Sequence, residues 1–142
     1  MRPASTPSQA TALALAEGRR LFDAGRFFDA HEAWEAAWRV ETGSARRVLQ
    51  GLIQVAAGFH KGLVQDHPGG MVRLLGAGLE KLGAAGDLGI LEADRFRAGV
   101  AGWLEAARRW SGGGARPVLP LPRFDRSDRP ASPGASPSGP RG

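Results

Sequence analysis

The residues of this chain best suited to chemistry lie together in the segment from His31 to Glu35. His31 and Glu35 are four positions apart, so on a helix they share one face, and Glu32 lies a step further around. Imidazole and carboxylate groups are good ligands for a divalent transition metal. The segment therefore predicts one divalent metal ion held by His31 and Glu35, with His31, Glu32 and Glu35 as candidate catalytic residues.

The segment can be compared with the H-E-x-x-H helix of zinc proteases, in which two histidines bind the metal. Glu35 stands where the second histidine would be, so a third ligand must come from another helix. We expect Gln54 and Gln50 to face His31 and Glu35 across an antiparallel helix pair. His60, a turn or more beyond Gln54, is the candidate third metal ligand.

A structural hypothesis fits the same residues. A histidine beside Trp34 and Trp38, with a carboxylate one turn away, is often part of a buried hydrogen-bonded network, which two glutamines would complete. Arg39 follows Glu35 by four residues, the favourable orientation for a helical ion pair. Trp34, Trp38, Arg39 and the two glutamines are thus predicted either to surround a ligand or to close a structural network. For the tryptophans, the core is favoured.

Helical periodicity runs through residues 7–110 and predicts one all-α bundle of about five antiparallel helices, with no sheet. The predicted helices cover about residues 7–23, 27–40, 45–63, 68–82 and 91–110. The third is apolar on more than one side, which indicates a central helix. Gly51 and Gly58 within this helix predict the close approach of a neighbouring helix, since glycine costs about 1 kcal/mol there relative to alanine.

Residues with capping or turn chemistry predict the helix ends. Thr6 and Pro7 are typical of the start of the first helix, and Ser44 is the expected cap of the third. Asp66 to Pro68 indicate the start of the fourth helix. A glycine-rich break is expected from Gly83 to Gly89.

The segment 111–142 differs in composition from the rest of the chain. It holds seven of the ten prolines and a net charge of +3, and it is predicted to be a mostly disordered Pro/Gly/Ser-rich tail outside the bundle domain at 7–110. One exception is expected. Val118, Leu119, Leu121 and Phe124 alternate with prolines, and we expect this piece to lie along the bundle, leaving 126–142 free.

The first two predicted helices resemble a single tetratricopeptide-type hairpin. In such a hairpin, small residues lie at the helix crossing with aromatic residues beside them. The positions concerned are Gly18, Phe22, Gly25, Phe27, Ala30, Trp34 and Ala37. No second copy of the repeat follows, so the hairpin is expected inside a bundle and not in an array.

A second resemblance is more specific. Residues 27–39 (FFDAHEAWEAAWR) and 50–57 (QGLIQVAA) are similar to two motifs of domain of unknown function family number 309, a small helical family of bacteria and archaea. His60 and the segment 76–82 are similar to its continuation, so the resemblance covers about residues 14–83. It implies an all-helical bundle, and the label of predicted metal-dependent hydrolase given to members of that family implies the activity.

Charge and composition narrow the function classes. The chain carries 19 Lys+Arg and 14 Asp+Glu, but the part before the tail has a net charge of only +2, so nucleic-acid binding is not expected. The absence of cysteine excludes thiolate chemistry and is consistent with the cytoplasm. No apolar stretch approaches the roughly 20 residues of a membrane span.

The sequence thus predicts a small cytoplasmic helical protein that acts as a metal-assisted hydrolase on a small molecule. The alternative is a non-enzymatic protein-interaction or structural module. A homo-oligomer is compatible with either hypothesis.

Overall fold

A computed structural model describes residues 8–83 and 94–123 of the chain, and the predicted all-α fold is confirmed. Within these ranges the chain forms five α-helices and contains no strand. They are α1 (Gln9–Asp23), α2 (Phe27–Trp38), α3 (Gly43–Phe59), α4 (Pro68–Leu82) and α5 (Asp94–Ser111). A π-helical turn, His60–Val64, continues α3. The predicted glycine-rich break begins at Gly83, which follows the last residue of α4; the rest of the break and the predicted start of the last helix lie outside the described residues.

The predicted end of the second helix and the predicted start of the third are wrong by a few residues. Helix α1 begins at Gln9 and is capped by Ser8, which accepts a hydrogen bond from the Thr11 amide; the predicted start at Thr6 and Pro7 lies outside the described residues. Helix α3 begins earlier than predicted, after Thr42, so Ser44 lies inside its first turn and does not cap it. Gly43 has a φ of +64°, a left-handed conformation that glycine adopts without strain.

The second helix also ends before the predicted Val40. Its last carbonyl, that of Trp38, accepts a hydrogen bond from Arg46 Nε at 3.1 Å. The Arg46 guanidinium lies over the Trp38 ring, 3.9 Å from its centroid. An α3 side chain therefore takes the carbonyl that a longer α2 would have used within the helix.

The core is built around aromatic side chains from four helices. The Phe22 ring is fully buried and contacts the rings of Phe27, Trp34, Phe59 and Phe96 at centroid distances of 5.3–6.2 Å. Most of these pairs are edge-to-face, the arrangement that aromatic quadrupoles favour. Helix α3 packs against both α2 and α4 and buries nine residues, which confirms that it is the central helix.

Helices α3 and α4 cross closely along glycines. A Cβ atom added to Gly78 would lie 2.8 Å from the Gly51 carbonyl oxygen, and one added to Gly58 would lie 2.9 Å from Leu75. The pairing of later α3 residues with earlier α4 residues shows that the two helices are antiparallel. The predicted close approach at Gly51 and Gly58 is confirmed.

Residues 117–123 lie along α5, as expected for the proline-spaced segment. The Trp103 indole N–H donates to the Pro120 carbonyl at 2.8 Å, and Pro122 is buried against Gly99. Val118 is 94% exposed and does not share in this packing. Phe124 and the predicted disordered segment 126–142 lie outside the described residues.

Two hydrogen bonds, which the sequence did not predict, join the start of α1 to the α2–α3 connection. The fully buried Thr11 hydroxyl donates to the Glu41 carboxylate at 2.6 Å, and the Ser8 amide donates to the same oxygen at 3.1 Å. The hydrogen bond from Thr11 is the main cause that lowers the pKa of Glu41 from its ordinary value of 4.5.

The glycine crossing can be tested with a matched pair in α4. Gly78→Ala should destabilise the fold by roughly 1–3 kcal/mol, because its methyl group would meet Gly51 backbone and the Val55 side chain. Gly76→Ala, which meets nothing within 4 Å, should be neutral or stabilise by up to about 1 kcal/mol. Urea unfolding of both variants measures the difference, and equal effects would contradict the crossing.

The tie at Glu41 predicts a pH dependence of stability. Because its pKa is lower in the folded chain, the ionised carboxylate stabilises the fold fully above its unfolded value of 4.5, and this contribution is lost as the pH falls through the folded pKa. Thr11→Val should therefore be less stable than the wild type at pH 7, with a gap that narrows below about pH 4.5. Thermal unfolding at several pH values tests this, and a gap that is independent of pH would contradict it.

Candidate metal centre and adjoining pocket

The rotation of α2 places the candidate site on one flank of the helix. Its buried stripe consists of Phe27, Ala30, Trp34 and Ala37. The Trp34 indole sits against Gly18 of α1, where any Cβ atom would clash with the ring, and its N–H points to the Leu15 carbonyl at 3.4 Å. With that stripe turned inward, positions 31, 32 and 35 lie beside it, toward solvent.

Three candidate ligands converge on this flank. One ligand atom from each of His31, Glu32 and Glu35 lies within 4.8 Å of the others. The His31 Nδ1 atom is 3.3 Å from Glu32 Oε2, and the side chains of His31, Glu32 and Glu35 are 24%, 52% and 29% exposed. The group is therefore open on its outer side.

The charges around the group are only loosely paired. Arg39 approaches Glu35 at 3.4 Å, as its spacing predicts, but the arginine side chain is 62% exposed. Such exposed pairs stabilise a fold by at most about 1 kcal/mol. Glu35 therefore keeps most of its capacity to bind a cation.

A half-open pocket of about 300 Å³ adjoins the group on the His31 side. Its lining comes from α2, the end of α3, the π-helical turn with the residue after it, and α4. The residues are Phe28, His31, Ala57, His60, Lys61, Gln65 and Leu74. Phe28 lies between two imidazoles, with its ring 5.8 Å from that of His31 and 5.8 Å from that of His60. His31 therefore belongs both to the set of three candidate metal ligands and to the lining of the pocket.

The other predicted site residues are placed in different ways. His60 lines the pocket but is outside the group of three ligand atoms. Trp34 is fully buried in the core, whereas Trp38 is half-buried and packs against the core edge. Gln50 and Gln54 are half-buried on α3, which packs against α2, and their approach to His31 and Glu35 stays a prediction.

Three polar atoms in this region lack the partners that a closed network would give them. Within the described part of the chain, His31 Nδ1, Trp38 Nε1 and Gln54 Oε1 are buried and make no hydrogen bond. Most buried polar atoms in proteins are bonded, so these three atoms weigh against a fully satisfied structural network. For His31, a bound cation is a partner that the neighbouring carboxylates would also accept.

The residues present fit a divalent transition metal. Ligands on a common zinc ion are at most about 4.2 Å apart, twice the metal–ligand distance, and the three ligand atoms, all within 4.8 Å of one another, are close to that limit. Three protein ligands with an open side are typical of catalytic zinc centres, whereas structural centres are closed; the set here has one histidine and two carboxylates, where catalytic zinc centres more often have two or three histidines.

Sequence reasoning missed Phe28, Lys61 and Gln65. Phe28 could have been noticed because it directly follows Phe27, and two adjacent positions of a helix cannot both face the same core; the structure leaves Phe28 55% exposed. Lys61 and Gln65 join the pocket through the π-helical turn, for which helical spacing gives no signal.

These features define a small all-helical protein with a histidine–carboxylate group on an open helix flank. Residues 15–74 match the model of a family described as domain of unknown function (DUF309), which confirms the resemblance seen in the sequence. All seven pocket residues and the three candidate ligands lie inside the matched segment. A comparison with curated proteins gives no match. Among the described helices, none is both long and apolar enough to span a bilayer.

The unpartnered oxygen of Gln54 gives a test of the structural hypothesis. Gln54→Met should stabilise the fold by about 1 kcal/mol, because it removes a buried acceptor that has no donor. Gln50→Met serves as the control one turn earlier and should have little effect. If chemical unfolding shows instead that Gln54→Met is strongly destabilising, the glutamine belongs to a hydrogen-bonded network.

Proposed function

We propose that the chain is a metal-assisted hydrolase whose centre is the group of His31, Glu32 and Glu35. The convergence of these three ligand atoms beside an open pocket carries the proposal. A divalent metal supplies Lewis acidity toward a carbonyl or phosphoryl oxygen. The family label of metal-dependent hydrolase points to the same chemistry, and the absence of cysteine favours the cytoplasm as its compartment.

The three side chains divide the work by position. His31 and Glu35, one turn apart and less exposed, would hold the ion. Glu32 is the most exposed of the three, at 52%, so its carboxylate has the most room to turn toward a substrate. It would complete the ligand set or accept a proton as general base. A substrate would reach the group from the pocket side, past His31.

Metal titration of the purified full chain tests the proposal. Wild-type protein should bind one Zn²⁺ or Co²⁺ ion, and His31→Ala and Glu35→Gln should each weaken binding at least tenfold, about 1.4 kcal/mol. Co²⁺ absorption would report the ligand geometry. Glu17→Gln is the matched control, because Glu17 is an exposed helical carboxylate that pairs with Arg20. Its affinity should equal that of the wild type.

Two results would overturn the proposal. One is the absence of stoichiometric binding by wild-type protein, and the other is unchanged affinity in His31→Ala. Glu32→Gln separates the two roles of that residue. Weaker metal binding makes it a ligand, whereas intact binding with lost hydrolysis of a p-nitrophenyl ester makes it the general base.

The alternative is a protein-interaction module, which the α1–α2 hairpin favours. Its crossing at Gly18 and Trp34 is the small-residue contact that underlies the tetratricopeptide resemblance. A truncation that tests partner capture by the tail must retain residues up to Arg123. The bond from Trp103 to Pro120 makes the preceding segment part of the packed structure.

A further inference from the structure

The pocket beside the candidate metal ligands His31, Glu32 and Glu35 is lined by basic side chains and by no acidic one. Its seven lining residues include one lysine and two histidines but no carboxylate. Lys61 is one of only two lysines in the chain. Within residues 8–83 and 94–123, no carboxylate forms an ion pair with Lys61, although arginines elsewhere on the surface repeatedly form such pairs.

Lys61 is held in place by its surroundings. The half-buried side chain lies across Gly70 of α4, where an added Cβ atom would be 2.5 Å from Lys61 Cγ and 3.1 Å from Cε. The absence of a side chain at position 70 therefore makes room for the aliphatic stem. Because the stem is packed, the ammonium group loses less conformational freedom when it binds an anion.

The π-helical turn brings Lys61 and His60 to the pocket together. Its backbone is wider than that of an α-helix, with the Gln65 amide donating to the His60 carbonyl five residues earlier at 3.1 Å. The His67 amide then closes the turn by donating to the Lys61 carbonyl at 3.0 Å. Turns of this kind occur frequently at functional sites.

The rest of the pocket lining is mainly apolar. The Phe28 ring is nearly parallel to the His31 imidazole, at 13°, and Phe28 is 55% exposed. Ala57 and Leu74 add aliphatic surface. A volume of about 300 Å³ lies at the small end of the range for ligand pockets, so the space suits a molecule the size of one substituted ring.

We propose that this pocket binds a small molecule with an anionic group on a flat apolar body. The anion, a phosphate or a carboxylate, lies at Lys61 with His60 beside it, and the body lies against Phe28 and Leu74. This inference rests on the proposed function in one respect, since it names the substrate class of the metal centre. Binding itself requires only the pocket residues, so it can be measured without metal.

The test uses the full chain in EDTA and four probes: benzyl phosphate, phenylacetate, benzyl alcohol and inorganic phosphate. Amide chemical shifts report affinity and location. Benzyl phosphate or phenylacetate should bind at least tenfold more tightly than benzyl alcohol, with shifts at residues 28, 60 and 61. Which of the two anions binds more tightly identifies the anionic group. If neither anion binds, or if all three aromatic probes bind equally, the proposal is overturned.

Two variants separate the contributions of charge and ring. Lys61→Met keeps the packed stem and should weaken the anionic aromatic probe at least tenfold, without affecting benzyl alcohol. Phe28→Ala should weaken both benzyl probes and leave inorganic phosphate unchanged. Lys81→Met, at the other lysine of the chain, is the control and should bind like the wild type. Equal losses in Lys61→Met and Lys81→Met would overturn the assignment of Lys61.

Failure of this proposal is distinguishable from failure of the metal proposal. If the probes bind in EDTA but the protein binds no metal, the anion-binding proposal is supported and the hydrolase proposal is contradicted. Metal binding lost in His31→Ala but intact in Lys61→Met, with no probe bound, would do the reverse.

Discussion

The seating of Trp34 against Gly18 is the contact on which the site depends. The indole is fully buried in a notch that only glycine leaves open, so α2 cannot rotate about its axis. Once the rotation of a helix is fixed, the directions of all its other side chains are fixed as well. His31, Glu32 and Glu35 gain their common flank from this one contact, and so does Phe28. The core packing and the candidate chemistry are therefore set by the same side chain.

Most of the fold could be predicted from periodicity, because each helix carries its own apolar stripe. Some helix ends were less predictable, since they depend on side-chain contacts between two elements, as where Arg46 of α3 bonds the last carbonyl of α2. The hydrogen bonds from Ser8 and Thr11 to Glu41 join segments 33 and 30 residues apart and have no signature in local spacing. Ser44 was expected to cap α3 because serine is a favoured capping residue. Instead α3 begins at Gly43, which is in the left-handed conformation, and Ser44 lies inside the first turn.

The candidate site likewise has a part that regular helical spacing predicts and a part that it does not. The convergence of His31 and Glu35 follows from a spacing of four within one helix, so it was predictable. The place of His60 depends on where α3 changes to a π-helical turn, and the expected third ligand instead lies across the Phe28 ring. Contacts that depend on backbone irregularity have no signature in regular spacing, which is also why Lys61 was missed.

The close crossing of α3 and α4 completes the pocket. Leu74 of α4 lines it where α4 packs closely on Gly58 of α3, at which an added Cβ would lie 3.2 Å from Leu74 Cβ. Gly70 likewise admits the stem of Lys61. Glycine lowers the stability of a helix interior, but it allows two helix backbones to approach closely. Here that approach also creates a concave surface, so the helix–helix interface and the binding surface share one set of small residues.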